Sequence, residues 1–380
     1  MKVVFLGCTD NFGLGFSANV TKIGYMAKGL SESGASCSIH NGIIGSDKIA
    51  KDQTSTVDGF HVTTLKKNGN QLISAFLNIK KIYKYLKQER DNDTINVVIV
   101  TMPLIHIYIL YWSLCKILGY KYVTISHEWG PTLKSTGKIK FFLLCLYAKA
   151  FGWFCDAILP ISEFIIEKIS VFNKPYYKVP ILAEFSDTGE VHSKKEDTFV
   201  YCASVYYKRV WMMLIDSYKI YADNGGKLSL ILILNGPEIL MENVQCYINN
   251  SGMNGKIIVK TKLPYSLLLN EYKKAQALII PLNPSCNQDK ARFSQKIAEY
   301  LSSKSAILTN KVGEINYYFK KNEIITCDYN EKSFADAFKW IEEHKDECKF
   351  IGENGYKRGQ MDFNYKIVGK GLYNFFNSLQ

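Results

Sequence analysis

Short apolar runs alternate with amphipathic helical patterns along this chain, and this alternation limits the possible folds more than any other feature. Strands that are apolar over their whole length are typical of a parallel sheet covered by helices on both faces. In the first half, we predict strands at Val3–Leu6, Ser36–His40, Val97–Thr101, Tyr122–Ser126 and Ala157–Ile161. Since helical patterns separate them, the sequence predicts βαβ units and a doubly wound α/β sheet.

The alternation pauses around residues 179–187 and then starts again. The second half contains predicted strands at Phe199–Ala203, Leu228–Leu234, Ala277–Leu282 and Ala306–Thr309, and predicted helices at Arg209–Ala222 and Gln295–Ser302. A chain of 380 residues is long enough for two domains of this kind. We therefore predict a first Rossmann-like domain of residues 1–182, against which a C-terminal helix (363–380) packs, and a second of residues 183–362, with the two domains facing across a cleft.

Charge and composition narrow the classes of partner. The net charge of +12 favours anionic partners such as nucleotides and phospholipid headgroups. We expect no nucleic acid, because no zinc-finger spacing and no dense basic run with interleaved aromatics is present. Nor does any histidine cluster have metal-ligand spacing, so no metal site is expected. The ten cysteines form no CxxC pair, and Cys8, Cys155 and Cys202 lie in or beside apolar strand-like runs, which predicts buried free thiols and a cytoplasmic location.

The basic stretch 134–154 (KSTGKIKFFLLCLYAKAFGWF) places four lysines around an apolar, aromatic body. Basic and aromatic residues together suit the surface of a membrane, which here would be its cytoplasmic face. A core helix with a solvated basic edge explains the same pattern, and the sequence leaves both interpretations open. The longest apolar stretch, Pro103–Tyr120, contains His106 and Lys116 and falls short of a clean span of about 20 apolar residues.

A candidate anion site follows the predicted strand Ala277–Leu282, in the segment Arg292–Tyr300 (RFSQKIAEY). A helix that begins near Ser294 would offer unpaired N–H groups to a diphosphate. Lys296 could face the same anion, and Glu299 could accept hydrogen bonds from two ribose hydroxyls. An ordinary surface helix with Ser294 as its N-cap explains the spacing equally well.

Two features of the first half could contribute to a site at the carboxyl ends of its strands. Gly13 and Gly15 follow the first strand and would let the backbone approach a phosphate or an acceptor. His127 follows Tyr122–Ser126 and could hydrogen-bond a sugar hydroxyl. The alternatives are a turn that connects strand to helix, and a histidine that bonds a backbone carbonyl.

Together, these motifs resemble, in order, those of the family 4 glycosyltransferases of the GT-B fold. That family's motif reads roughly F-P-x-K-x-x-E-Y-L, and this chain has FSQKIAEYL from Phe293, with Ser294 in place of proline. Further matches cover nearly the whole chain: a strand end with Gly236 in Asn235–Pro237, an A-D-x-I-x-x-S-like segment at Cys155–Ser162, and the strand Phe199–Ser204 followed by Lys208 and Arg209. The usual glycine after that strand is Ser204 here.

This resemblance implies a hexosyl or other glycosyltransferase. It would be a retaining enzyme that uses a UDP or GDP sugar, needs no metal, and works in surface polysaccharide or glycan assembly with a glycan or lipid-linked acceptor. Lys208, Lys296 and His127 would act at the reacting sugar and diphosphate. Donor binding would involve the following residues: Gly13, Gly15, Ser204, Arg209, Gly236, Phe293, Ser294 and Glu299.

One departure from the family concerns the donor sugar. Many members carry a second glutamate eight positions before the one that matches Glu299, and this chain has Ala291 there. Asn287, Asp289 and Lys290 are nearby substitutes. Two other functions therefore stay open: a sugar-nucleotide 2-epimerase of the same fold, and a non-catalytic subunit of a glycosylation complex.

Overall fold

The computed structural model describes residues 1–9, 11–15, 17–133, 137–185 and 195–379. The chain divides into two compact units, and elements are numbered in chain order below. The first unit comprises Met1–Glu184, Ala291–Gln295 and Asp362–Gln380, and the second comprises Phe185–Lys290 and Lys296–Met361. Parts of the predicted features lie outside the described ranges, namely residues 10 and 16 of the segment after the first strand, residues 134–136 of the basic stretch, residues 186–187 of the linker and residue 380.

A seven-stranded sheet with the order β3-β4-β2-β1-β5-β6-β7 forms the centre of the first unit. Strands β3 and β4 pair antiparallel, and the other neighbouring strands pair parallel. The strands are β1 (Lys2–Leu6), β2 (Ser36–His40), β3 (Gln53–Val57), β4 (Phe60–Thr64), β5 (Asn96–Val100), β6 (Lys121–Ser126) and β7 (Ala157–Pro160). Its α-helices are α1 (Ala18–Glu32), α2 (Gln71–Glu89), α3 (Ile105–Leu118), α4 (Lys138–Ala150), α5 (Glu163–Ile169) and α14 (Tyr365–Asn377).

The second unit is built on a six-stranded parallel sheet with the order β10-β9-β8-β11-β12-β13. The strands are β8 (Glu196–Ser204), β9 (Ser229–Asn235), β10 (Ile257–Lys260), β11 (Ala275–Ile280), β12 (Ala306–Thr309) and β13 (Ile325–Thr326). The helices are α6 (Lys208–Asp223), α7 (Glu238–Ser251), α8 (Tyr265–Lys274), α9 (Asn287–Ala291), α10 (Gln295–Ser302), α11 (Glu314–Tyr318), α12 (Glu331–Glu343) and α13 (Lys345–Asp362).

Each sheet is buried between helices, which explains the apolar runs in the sequence. Every residue of β5 and β11 is buried, and the cysteines predicted to be buried thiols, Cys8, Cys155 and Cys202, are free and buried. None of the helices in the described ranges is long and apolar enough to cross a membrane.

The C-terminal helix α14 returns to the first unit and packs against α1, as the sequence predicts. The two backbones approach closely at Gly29 and Gly369. A Cβ atom on Gly29 would lie 2.3 Å from the carbonyl oxygen of Tyr365, and one on Gly369 would lie 2.3 Å from the Gly29 carbonyl carbon. The ring of Tyr365 stacks on Tyr25 at 5.5 Å beside this crossing. Glycine is therefore needed on both helices.

Several elements were not predicted from the sequence, among them β10, β13, α12 and α13. The hairpin β3–β4 is absent from the predicted strands, because Gln53–Val57 is polar and largely exposed and shows no apolar run. The polar segment 283–292, between the predicted strand Ala277–Leu282 and the predicted helix Gln295–Ser302, contains the short helix α9. The side chain of Asp289 stabilises this turn by accepting a hydrogen bond from the Asn283 backbone at 2.9 Å.

We expect Gly29→Ala to lower the free energy of unfolding by about 2 kcal/mol, because overpacking at the α1–α14 crossing outweighs the gain in helix propensity. Gly24→Ala is the matched control in the same helix, since its Cβ would lie at an ordinary 3.6 Å from Phe12. It should leave stability unchanged or raise it slightly. Urea unfolding followed by circular dichroism measures both changes, and equal effects would contradict this account of the crossing.

Candidate functional site

Both sheets place a topological switch point next to their first strand. In the first sheet, β2, β4 and β3 lie on one side of β1, and the later strands β5, β6 and β7 lie on its other side. In the second, β8 is followed by β9 and β10 on one side and by β11, β12 and β13 on the other. Ligands of such sheets bind at the carboxyl ends of the strands beside this reversal. Most of the candidate residues follow these strand ends.

In the second unit, two cations begin the helix after β8. Lys208 and Arg209 are the first residues of α6 and are exposed, and no side chain caps this helix terminus. Ser204 ends β8, and its hydroxyl accepts a hydrogen bond from the Tyr206 backbone at 3.4 Å. The turn after β8 thus presents positive charge and free helical N–H groups at the switch point, which suits a diphosphate.

Gly236 supports this turn from the neighbouring strand end. A Cβ atom at Gly236 would lie 2.2 Å from Cγ1 of Val205, which leaves no space for a side chain. The Val205 backbone N–H donates to the Asn235 carbonyl at 3.0 Å. The structure therefore gives Gly236 a packing role that holds the turn after β8 against the end of β9.

Helix α10 carries the buried carboxylate of the candidate site. Glu299 is only 8% exposed, and burial raises its pKa from 4.5 to about 7, although Lys296 and a hydrogen bond with Tyr265 oppose that shift. The charges of Lys296 and Glu299 both act on the thiol of Cys202 in β8. The hydroxyl of Tyr300 accepts a hydrogen bond from the Cys202 backbone at 3.3 Å. Lys296 and Glu299 therefore lie beside the end of β8, where Lys208 and Arg209 follow.

The residues just before α10 belong to the first unit. Phe293 is buried, with its ring 5.5 Å from that of Phe363, and Gln295 forms hydrogen bonds with both backbone groups of Leu182. Ser294 is half-buried. The predicted motif is therefore divided: Phe293 and Ser294 pack with the first unit, whereas Lys296 and Glu299 belong to the second. The ring of Phe293 contributes packing rather than an exposed surface for a ligand.

Ala291, at the position of the family's additional glutamate, is also buried. Its carbonyl accepts a hydrogen bond from the Ser162 hydroxyl at 2.6 Å. Among the proposed substitutes, Asp289 already binds the Asn283 backbone. Gly313 in the loop after β12 has φ +55° and approaches this segment closely, since its Cβ would lie 2.9 Å from the Lys290 carbonyl oxygen.

His127 directly follows β6 in the first unit, and its Nε2 atom is buried without a hydrogen-bond partner among the described residues. Burial and the nearby charge of Lys22 hold the pKa of His127 well below its ordinary value, so the ring is neutral at neutral pH. A neutral imidazole has one donor and one acceptor nitrogen. Nε2 therefore has unused hydrogen-bonding capacity inside the unit.

Lys22 was not identified from the sequence. It lies on the buried side of α1, donates a hydrogen bond to the Val179 carbonyl at 3.0 Å, and has a pKa that burial lowers to about 7. In the sequence it is one of many lysines, and only its burial in the fold distinguishes it.

The glycine loop after β1 is tightly packed at one of its two glycines. Gly13 has φ +76°, and a Cβ there would lie 2.8 Å from Cγ2 of Val57. Gly15 lies near Lys48, whose Nζ would be 3.4 Å from an added Cβ and donates to the Asn11 side chain at 2.6 Å. Lys48 thus adds a positive charge to this loop. Its proximity to Gly15 could not be predicted, because the two residues are far apart in the sequence.

The burial of Glu299 has a consequence for stability. Its pKa is higher in the folded protein than in the unfolded chain, so its stabilising contribution is complete below about pH 4.5 and is lost as the pH rises to about 7. We expect Glu299→Gln to remove a cost on the order of 3 kcal/mol at about pH 8 and to change little at about pH 4.5.

Urea unfolding at both pH values measures this difference, and Glu242→Gln, an exposed glutamate of α7, is the control. A Glu299→Gln variant whose stability relative to wild type is the same at both pH values would contradict the buried, raised-pKa carboxyl.

No protein-family profile matches the chain, and no curated protein sequence matches it either. Solved structures, in contrast, match over the whole chain. Sucrose-phosphate synthase from Thermosynechococcus elongatus has a TM-score of 0.74 at 9% identity, covering 100% of this chain and 98% of that one. A glycosyltransferase from Rickettsia africae has a TM-score of 0.72 at 12% identity, with coverage of 100% and 98%.

HepE from Anabaena, in complex with UDP and glucose, has a TM-score of 0.72 at 9% identity and full coverage of both chains. At such identities the likeness establishes the fold. The chain has the GT-B fold of two parallel-sheet α/β domains, as the sequence predicts.

Proposed function

We propose that this protein is a glycosyltransferase that moves a sugar from a nucleoside-diphosphate sugar to an acceptor hydroxyl. The observation that carries the proposal is the buried Glu299 in α10, one turn from Lys296 and beside the end of β8, where Lys208 and Arg209 follow. A carboxylate that accepts from ribose hydroxyls and cations that face a diphosphate are the complementary halves of a nucleotide site.

Structures of the same fold support a nucleotide-sugar donor. The Anabaena HepE structures contain UDP or UDP-glucose, and a trehalose-phosphate synthase from Burkholderia xenovorans is UDP-forming. For this chain we propose a donor of the UDP or GDP type and no bound metal. Within that class, the motif order from Cys155 to Leu301 supports a family 4 enzyme of the bacterial polysaccharide type.

The chemistry of the proposed reaction explains why cations are needed. The bond between the anomeric carbon and the diphosphate oxygen breaks, and the acceptor oxygen forms a new bond to that carbon. Negative charge develops on the leaving diphosphate, where Lys208, Arg209 and Lys296 would stabilise it. For a retaining enzyme the acceptor attacks from the side of the leaving group, which takes up the hydroxyl proton.

In the first unit we propose that His127 hydrogen-bonds a sugar hydroxyl through Nε2, which is neutral and unpartnered among the described residues. Gly13 and Gly15 would offer backbone N–H groups to phosphate oxygens. We further propose a cytoplasmic enzyme of glycan assembly that uses a glycan or lipid-linked acceptor.

One observation favours a different function. Ala291 provides no carboxylate for the donor sugar, and its surroundings are packed and hydrogen-bonded. A non-catalytic subunit that keeps the fold without binding a donor would have the same feature. Calorimetric titration with UDP and with GDP separates the two functions, because a non-catalytic subunit that has lost the site would bind neither.

We expect Glu299→Ala and Lys296→Ala each to weaken nucleotide binding about 10- to 100-fold, because each removes hydrogen bonds that involve a charged group. The better-bound of UDP and GDP is titrated calorimetrically, and transfer is measured as released nucleotide in a donor screen. Transfer should fall further for Lys296→Ala than binding does, since charge on the diphosphate grows during the reaction.

Exposed residues of the same unit supply the matched controls Glu242→Ala and Lys332→Ala, which should retain wild-type affinity. Folding of every variant is checked by circular dichroism. Wild-type affinity and activity in both Glu299→Ala and Lys296→Ala would show that the nucleotide binds elsewhere.

A further inference from the structure

Helix α2 exposes large apolar side chains in its first two turns. Leu72, Ile73, Phe76 and Leu77 all point to solvent, and Phe76 is 79% exposed. The opposite side of the helix carries the residues that pack on the unit, such as Ala75 and Ile82. An exposed cluster of this size is unusual on a monomeric soluble protein and marks an interaction surface.

Helix α4 has the same organisation. Ile139 and Phe142 are 80% and 66% exposed, and Leu143 and Leu146 extend the exposed stripe along the helix. Within α4 only Leu144 and Ala148 are fully buried. The basic stretch of the sequence is therefore not a core helix with a solvated edge, because its apolar side faces solvent.

Both helices belong to one layer of the first unit, since α3 contacts α2 on one side and α4 on the other. In βαβ units the helices run antiparallel to the strands, so their N-terminal halves lie towards the carboxyl ends of the strands. The exposed apolar residues of α2, and Ile139, Phe142 and Leu143 of α4, occupy these N-terminal halves, and Leu146 lies in the next turn of α4. We call these exposed side chains, which lie on two helices separated by α3, the apolar patch: Leu72, Ile73, Phe76, Leu77, Ile139, Phe142, Leu143 and Leu146. The apolar patch therefore lies towards the carboxyl ends of the strands, as His127 does.

Lysines surround the apolar patch. Lys80, Lys84 and Lys87 continue the exposed side of α2 beyond its apolar turns, and Lys138, Lys140 and Lys149 are exposed on α4. Acidic residues are rare in this part of the chain: residues 95–155 contain six lysines and one glutamate, and residues 71–88 contain no acidic residue.

We propose that the apolar patch and its lysines dock the first unit onto the surface of an anionic phospholipid membrane. Apolar side chains that enter the acyl boundary and lysines that stay at the headgroups are the two parts of an interfacial anchor. A second copy of this chain fits the surface less well, because it would bring two lysine-rich surfaces of the same sign together.

In combination with the proposed function, this docking surface would hold the acceptor-side domain at the membrane, where a lipid-linked acceptor hydroxyl is presented. That role rests on the proposed function, whereas the docking itself does not. Vesicle binding and nucleotide binding are therefore measured separately, so that failure of one leaves the other intact.

Flotation of the full chain with phospholipid vesicles tests the proposal. We expect wild type to bind vesicles that contain anionic lipid, and to bind purely zwitterionic vesicles much more weakly. The double variant Phe76→Ser/Phe142→Ser should lose at least about tenfold in affinity. Lys80→Glu/Lys84→Glu should lose about a hundredfold on anionic vesicles and little on zwitterionic ones.

Matched controls come from exposed residues of the second unit. Ile239→Ser/Phe350→Ser and Lys256→Glu/Lys332→Glu change the same residue types elsewhere and should bind vesicles as wild type does. Wild type that fails to float with anionic vesicles would overturn the proposal, as would controls that lose as much as the patch variants. A concentration-dependent dimer that Phe76→Ser/Phe142→Ser abolishes, without vesicle binding by wild type, would assign the patch to a second copy instead. All variants should keep wild-type affinity for the nucleotide.

Discussion

The reversal of strand order beside β1 and β8 is the constraint on which the rest of the structure depends. Because the strands of a parallel sheet have their carboxyl ends on the same side, every loop that follows a strand lies on that side. The reversal of strand order separates two of these loops. In the second unit this places Lys208 and Arg209 near α10, although almost ninety residues separate them in the chain. Glu299 is held out of water there, on a helix whose Tyr300 hydroxyl accepts a hydrogen bond from the β8 backbone, and this burial raises its pKa.

Much of this fold could be predicted, because the buried parallel strands impose their own pattern on the sequence. The bounds of β2, α10 and β12 agree with the predicted ones residue for residue. Strand β3 could not be found in this way, since its polar residues lie at an exposed edge of the sheet and carry no apolar period. Strand β4 alternates buried and exposed residues and was not among the predicted strands either. Helix α9 has only five residues and is stabilised by local hydrogen bonds, such as that from the Asn283 backbone to Asp289, and so short a helix leaves no periodic signal.

The candidate site was predictable only where chemistry follows a strand end. His127, Lys208 and Glu299 were proposed from position alone, whereas the burial that lowers the pKa of His127 and raises that of Glu299 depends on neighbours that only the fold supplies. Lys22 and Lys48 reach the site region from a helix and a loop with no distinguishing motif. Phe293 was predicted to bind the donor from its place in a motif, and its ring instead packs against Phe363. A motif therefore identifies the segment, but not which of its side chains face a ligand.

The central claim is that α10 and the turn after β8 together hold a nucleoside diphosphate. A crystal structure with UDP or GDP tests it most directly. The account expects the ribose hydroxyls within hydrogen-bond distance of the Glu299 carboxylate, and the diphosphate within reach of Lys296 and of Lys208 or Arg209. A nucleotide bound at another place, or with its ribose away from Glu299, would contradict it.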